Sequence, residues 1–308
     1  MSAPSVLPLI VIAGPTASGK STLALQVAKA CDGEVVNADS QQVYRYFDIG
    51  TAKPTAEELA QVPHHLISVA EPHEQFTAAR FQALADAAIL DIRSRGRRPV
   101  VVGGTGLYLR VLLHGVMPAP PADPSLRARL EAEAEAHGRK ALHARLMAVD
   151  PESAALIQPT DLIRIIRALE LWELTGKRAS ELRRQHAFRE ARHPYRLFVL
   201  SPPRDALYRD INARTRAMFE GGLPEEVQAL IARGFAESPP MRSVGYVQAR
   251  ALVEGRLTRE EAVGDAGQQT RHYAKRQLTW FRKEKGAVFL QPPYDAKALV
   301  AQASAGMP

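Results

Sequence analysis

The run Gly14-Pro15-Thr16-Ala17-Ser18-Gly19-Lys20-Ser21 has the spacing G-x-x-x-x-G-K-S, and its flanks fix its setting. Before it, Leu9-Ile10-Val11-Ile12-Ala13 is a continuous apolar run that predicts a buried strand. After it, Lys20 to Ala30 places Leu23, Val27 and Ala30 on one helical face. A glycine loop between a strand and a helix N-terminus is a phosphate-binding loop. Glycines let backbone N–H groups turn inward, and the helix adds its positive end. Lys20 supplies a point charge, and the Ser21 hydroxyl can ligate Mg²⁺.

The pattern around the loop predicts an α/β fold. Glu34-Val35-Val36-Asn37-Ala38, His65-Leu66-Ile67-Ser68-Val69 and Pro99-Val100-Val101-Val102 read as further strands. Ala78 to Arg95 reads as a helix, with Phe81, Leu84, Ala88 and Ile92 at helical spacing. Apolar strands alternating with helices predict a parallel sheet covered by helices on both faces. Prolines 118, 120, 121 and 124 then form a stiff linker. Ser125 to Val149 reads as one helix, Leu162 to Thr175 as a second ending at Gly176, and Ser180 to His186 as a short third. Strand character returns only at Arg196-Leu197-Phe198-Val199-Leu200, and the remainder reads as helical. The expected organisation is a P-loop core from 1–114 and 194–308, with a helical insertion at 115–193.

Bulk properties narrow the partners. The 308 residues are 46% hydrophobic and 24% charged, with a net charge of +7, which favours an anionic partner such as nucleic acid. The single cysteine, Cys31, permits no internal disulfide and fits a reducing compartment. No apolar run has the length of a membrane span, and Val6 to Ala13 runs straight into the glycine loop, so no signal peptide is expected. The chain is expected to be cytoplasmic, monomeric and free of membrane contact. His64, His65 and His143 have no second ligand pair at metal spacing and read as structural or surface residues.

A nucleotide-hydrolysing P-loop protein carries an acid at the end of a second strand to hold Mg²⁺. Val100-Val101-Val102 ends instead in Gly103-Gly104-Thr105. The acid, Asp39, follows the Glu34–Ala38 strand. In a parallel sheet the carboxyl ends of strands share one edge, so Ser21, Asp39 and Thr105 are expected in one crevice. On these residues alone a small-molecule kinase and an RNA-binding ATPase module stay open beside an RNA-modifying transferase.

Longer blocks carry a resemblance. Val36 to Arg45, Asp48-Ile49-Gly50-Thr51-Ala52-Lys53-Pro54, Gly103 to Tyr108, Arg164 to Glu170, Ile211 to Arg214, Val244-Gly245-Tyr246 and Tyr273 to Arg282 stand in one order along the chain. With the P-loop, they make the chain resemble the tRNA dimethylallyltransferases, the isopentenyl-diphosphate:tRNA transferases. The resemblance implies transfer of a dimethylallyl group from dimethylallyl diphosphate to the N6 amine of adenosine 37, beside the anticodon, in tRNAs reading codons that begin with U. It implies Mg²⁺ as cofactor and the anticodon stem-loop of tRNA as partner.

It also implies roles by position. Asp39, Thr105 and Arg214 would serve catalysis, with Asp39 taking the proton of the amine. Gly14, Pro15, Thr16, Ala17, Ser18, Gly19, Lys20 and Ser21 would cradle the leaving diphosphate, with Ser21 toward the metal. The RNA-contacting positions would be Asp39, Ser40, Gln41, Gln42, Thr105 and Arg127, then Ile163, Arg164, Ile165, Ile166 and Arg167. Arg242, Ser243, Val244, Gly245, Tyr246 and Val247 would follow, with Val247 standing where the family often has a basic residue. The last block would be Lys275, Arg276, Gln277, Leu278, Thr279, Trp280, Phe281 and Arg282. On that helix Arg271, Lys275 and Arg282 share a stripe opposite Tyr273 and Trp280.

Overall fold

The computed structural model describes residues 7–186 and 191–305. Its centre is β1 (Leu9–Ala13), whose five residues are all buried. Around it stand β2 (Gly33–Asn37), β3 (His64–His65), β4 (Arg98–Gly103), β5 (Tyr195–Leu200) and β6 (Val288–Leu290), in the order β3-β2-β4-β1-β5-β6. Every neighbouring pair is parallel, with Ile10 opposite Val100 and Arg196, and Val35 opposite Val100. The α/β class with a helix-covered parallel sheet is therefore as the sequence patterns require.

Strand alternation decides which helix covers which face. Ile10, Ile12, Val100, Val102 and Phe198 face α1 (Lys20–Ala30) and its Leu23 and Val27. Leu9, Val11, Val101 and Val199 face the other way. They meet Phe81, Ala85 and Ile89 of α2 (Ala78–Ser94) and Tyr108 and Leu112 of α3 (Gly106–His114). A further apolar cluster lies among the helices that follow β5, including α4 (Arg204–Glu220), α5 (Leu223–Ala232), α6 (Tyr246–Val253) and α7 (Arg259–Phe281). Phe47, Phe219, Leu223 and Tyr246 are among its fully buried members.

The chain divides into two compact units, Met1–Leu113 with Ala191–Pro308, and His114–Glu190. The second is built of helices. Its core gathers Leu130, Leu142, Leu146, Ile165 and Leu169. Asp123 caps one helix, Pro124–His137, through the N–H groups of Ser125 and Leu126. The next helix is Arg139–Val149, so the expected single helix from 125 to 149 is broken, at Gly138 (φ 85°). The helix Leu162–Thr175 begins on the Asp161 cap and ends at left-handed Gly176, as expected.

Two further expectations need correction. The strand expected over 65–69 is only His64–His65, because Leu66 (φ 64°) and Ser68 (φ 54°) leave extended geometry and Ser68 N–H bonds to Gln42. The region after β5 is not wholly helical, because β6 pairs with β5 there.

The sheet edge that carries the loops is held by close backbone contact. Ala38 N–H donates to the Val102 carbonyl at 2.7 Å, just past the end of β2. A Cβ on Gly103 would lie 2.2 Å from the Ala38 carbonyl oxygen. Only glycine fits where β2 and β4 meet at their carboxyl ends, and this contact places Asp39 beside the β4 loop. Gly103→Ala is expected to lower stability by about 1–3 kcal/mol, the range for forced overpacking. A urea unfolding midpoint equal to that of the parent would show that the strand ends can part freely.

Candidate active site

The loop from Gly14 to Gly19 leaves β1 and turns under the start of α1. Gly14 takes φ 154° and Gly19 φ 82°, and Ala17 is also left-handed at φ 62°. A Cβ on Gly14 would sit 3.0 Å from the Leu200 carbonyl oxygen. α1 opens on Gly19 with no side-chain cap. Its first-turn N–H groups are therefore unclaimed by any cap and carry the positive end of the helix dipole. The Ser18 hydroxyl is buried without a hydrogen-bond partner. The Ser21 hydroxyl is exposed and, among the described residues, unengaged. This is an anion cradle with open donors.

Three charged side chains converge on it. Lys20 donates to the Pro15 carbonyl at 3.3 Å. Burial pulls its ammonium down from 10.5 to about 8; Asp39 pushes back up and Arg214 down again. Arg214, on α4, is likewise lowered by burial and raised by Asp39. No carboxylate pairs with Arg214 within ion-pair distance among the described residues. Asp39 Oδ1 accepts the N–H groups of Gln41 (2.8 Å) and Gln42 (3.4 Å), a turn that fixes the carboxyl and, among the described residues, leaves Oδ2 unengaged. Thr105 Oγ1 accepts the Ser40 N–H at 3.0 Å, and its own hydroxyl donates to Ser40 Oγ. The β4 loop thereby braces the loop that carries Asp39.

These groups line a cavity of about 590 Å³ whose wall includes Thr16, Lys20, Asp39, Arg214, Tyr273 and Gln277. Thr105 is not on that wall. Gln277, on α7, accepts the Thr16 N–H and donates to the Gly104 carbonyl, both at 2.9 Å. Glu226 holds the turn at Gly50, which also lines the cavity. Its carboxylate accepts the N–H groups of Asp48, Ile49 and Gly50 and the Tyr246 hydroxyl. A Cβ on Gly50 would meet the Tyr246 ring at 2.4 Å, so the Gly50 turn packs flat against the tyrosine. Gln42 ties the same turn down by donating to the Thr51 and Ala52 carbonyls.

Among the expected RNA-contacting residues, the structure separates exposed from buried side chains. Ile163, Arg164, Arg242, Val247, Lys275, Arg276, Thr279 and Arg282 are exposed. Ser243, Val244 and Gly245 border the cavity with Gln41 and Gln42. Ile165, Ile166, Tyr246, Gln277 and Phe281 are buried. Leu278 packs with Leu207 and Ile211, and Trp280 lies under the Arg110 guanidinium and against Gly106. In these segments only the exposed neighbours are presented to a partner. Of the basic stripe, Lys275 and Arg282 are exposed, while Arg271 is hydrogen-bonded to Asn212. His65 pairs with buried Glu34, and His143 bonds to the Ala154 and Ile157 carbonyls.

The family model described as IPP transferase matches residues 42–284. The chain belongs to this family. A tRNA dimethylallyltransferase of Myxococcus xanthus is 65% identical over 288 residues, covering 94% of each chain. One from Anaeromyxobacter dehalogenans is 57% identical, covering 94% of this chain and 97% of its own. The crystal structure of the full-length tRNA isopentenylpyrophosphate transferase of Bacillus halodurans superposes with a TM-score of 0.70 at 39% identity, covering 97% of this chain and 95% of that one. A eukaryotic dimethylallyltransferase acting on tRNA superposes with a TM-score of 0.79 at 29% identity, covering 93% and 74%.

Residue reasoning missed Glu226 and the bracket made by Gln277. Glu226 lies in the first turn of α5, where an acid is ordinary, so no pattern marked it. Gln277 sits inside a basic, aromatic block, and only its burial separates it from its exposed neighbours.

The Lys20 titration tests the electrostatics directly. In the free protein its ammonium should titrate near 8, read by the pH dependence of acylation at Lys20 in mass spectrometry. Asp39→Asn removes a supporting negative charge and should move that value lower. Arg214→Ala removes a repelling positive charge and should move it higher. Identical titration in all three proteins would mean that these charges do not share one crevice.

Proposed function

We propose that this IPP transferase moves a dimethylallyl group from dimethylallyl diphosphate to N6 of the adenosine at position 37, next to the anticodon, in tRNAs that read codons beginning with U. The observation that carries the reading is one crevice holding an uncapped helix N-terminus, two half-buried, desolvated cations and a carboxylate with a free oxygen. Adenine N6 is a poor nucleophile because its lone pair is delocalised into the ring. As N6 bonds to the allylic carbon, the carbon–oxygen bond to diphosphate breaks and its electron pair leaves with the diphosphate. Asp39 accepts the proton that N6 gives up. Lys20, Arg214 and the open amides of α1 meet charge that grows only as the bond breaks, so they favour the transition state over the ground state. The base must leave its stack to reach a recessed carboxylate.

The residues present fit Mg²⁺ as the helper ion. No group of three His, Cys, Asp or Glu side chains could hold a metal among the described residues. Mg²⁺ keeps several waters and rests on one or two protein oxygens plus phosphate oxygens. The exposed, unengaged Ser21 hydroxyl at the cradle suits that requirement. When bound, the ion would neutralise charge on the diphosphate. Thr105, through Ser40, keeps Asp39 in place, and the exposed residues of the RNA-contacting segments hold the anticodon arm. The helical unit contributes Arg127, Arg164 and Arg167 to that contact.

The deciding experiment incubates the protein with unmodified tRNA, labelled dimethylallyl diphosphate and Mg²⁺, then analyses nucleosides. N6-(dimethylallyl)adenosine is the expected product. Its absence, with phosphate transfer from ATP to a metabolite instead, would overturn the proposal. Asp39→Asn keeps the turn geometry and should lower kcat by about two to four powers of ten, the span of general-base assistance, with tRNA Kd little changed. Lys20→Ala and Arg214→Ala should weaken binding of inorganic diphosphate and leave tRNA affinity near that of the parent. Loss of tRNA affinity without loss of diphosphate affinity would move both residues out of the diphosphate site.

A further inference from the structure

Glu170 is fully buried, yet nothing in the transfer chemistry uses it. Four donors meet its carboxylate. Arg127 Nε donates to Oε1 at 2.8 Å and Arg127 Nη2 to Oε2 at 3.0 Å. Arg167 Nη1 donates to Oε2, and the Asp123 N–H donates to Oε1 at 2.8 Å. Arg167 Nη2 donates to the Pro120 carbonyl at 3.0 Å. Both arginine side chains stay about a third exposed, 39% and 33%. Every one of these bonds lies within the unit His114–Glu190.

An arginine has five N–H donors. Among the described residues, each of these two directs a pair of them to the protein and keeps the other three. The remaining donors are held on a fixed frame, because one buried carboxylate pins both guanidinium planes. A long, exposed arginine gives up rotamer entropy when it meets a phosphate, and a pinned one has already lost that freedom. We infer that Glu170 is a positioning residue, which yokes Arg127 and Arg167 into one preorganised site for adjacent phosphates of the RNA backbone. The inference rests on the reading above that these arginines touch RNA.

Replacing Glu170 with the isosteric amide separates this role from plain electrostatics by sign. Glu170→Gln removes a negative charge next to two positive ones. If the carboxylate only diluted the positive field, the variant would bind tRNA more tightly. If it positions the arginines, Kd for tRNA should rise by about tenfold, the scale of one charge-assisted hydrogen bond. The slope of log affinity against log salt should flatten by about 0.7–0.9 for each phosphate no longer neutralised, with kcat at saturating tRNA unchanged. A stability role alone would lower Tm and leave the salt slope where it was.

A double-mutant cycle serves if Glu170→Gln fails to fold. With Arg127→Ala, Glu170 loses the two-point grip that fixes its own plane and holds Arg167 less firmly, so the single variant should weaken the hold of both arginines on RNA. The double variant Arg127→Ala/Arg167→Ala should then lose less affinity than the product of the two single losses. Full tRNA affinity in Arg127→Ala and Arg167→Ala would reject the RNA contact itself. Weakened singles with a multiplicative double, or a folded Glu170→Gln that binds tRNA as tightly as the parent or more so, would reject the yoke.

Discussion

Gln277 accepts the Thr16 N–H and donates to the Gly104 carbonyl, so one buried amide fastens the phosphate loop to the loop that follows β4. The β4 loop then reaches Asp39 through Thr105 and Ser40. An anion cradle and a carboxylate are thus set in one frame. Displacement of either loop would change the spacing between the two, and the proposed transfer is sensitive to small errors in that spacing. The same helix, α7, exposes Lys275 and Arg276, and its C-cap Arg282 is exposed too. One helix therefore carries a basic outer surface and the fastening of the site.

The charges in the crevice are arranged to be incomplete. The N-terminus of α1 has no cap, Arg214 has no ion-pair partner among the described residues, and Lys20 is pulled down to about 8 by burial. Each of these lowers stability in isolation, since a helix N-terminus without a cap and a desolvated cation are both unfavourable. Their shared remedy is an anion of high charge density. Asp39 offsets the two cations without joining them in a salt bridge, and its second oxygen stays available.

The helical unit solves a related problem in the opposite manner. There Arg127 and Arg167 are satisfied internally by Glu170, whose carboxyl burial would raise; the two guanidinium groups outweigh that and hold it at about 2. Other arginines of that unit are engaged in ordinary ion pairs, Arg129 with Glu173 and Arg145 with Glu133 and Glu173. A surface rich in arginine is in this way divided between arginines paired with half-exposed glutamates and two held by one fully buried carboxylate.

Much of this was legible in the residues, because local patterns and backbone rules act over short spans. The strand–loop–helix at Leu9 to Ala30, the parallel class, the helix Leu162–Thr175 and its stop at Gly176 all follow from spacing and glycine freedom. The place of Asp39 followed too, since carboxyl ends of parallel strands must share an edge. Only the tertiary structure decided the rest. β6 is three residues long and exists because β5 offers it an edge. The break at Gly138 depends on how two helices pack around Leu130 and Leu142. Whether Gln277 faces RNA or the P-loop, and whether Glu226 and Glu170 are surface acids or buried organisers, turned on partners 20 to 261 residues away in the chain. A polar side chain carries the same donors wherever it sits, and its role is set by what long-range packing places within hydrogen-bond reach.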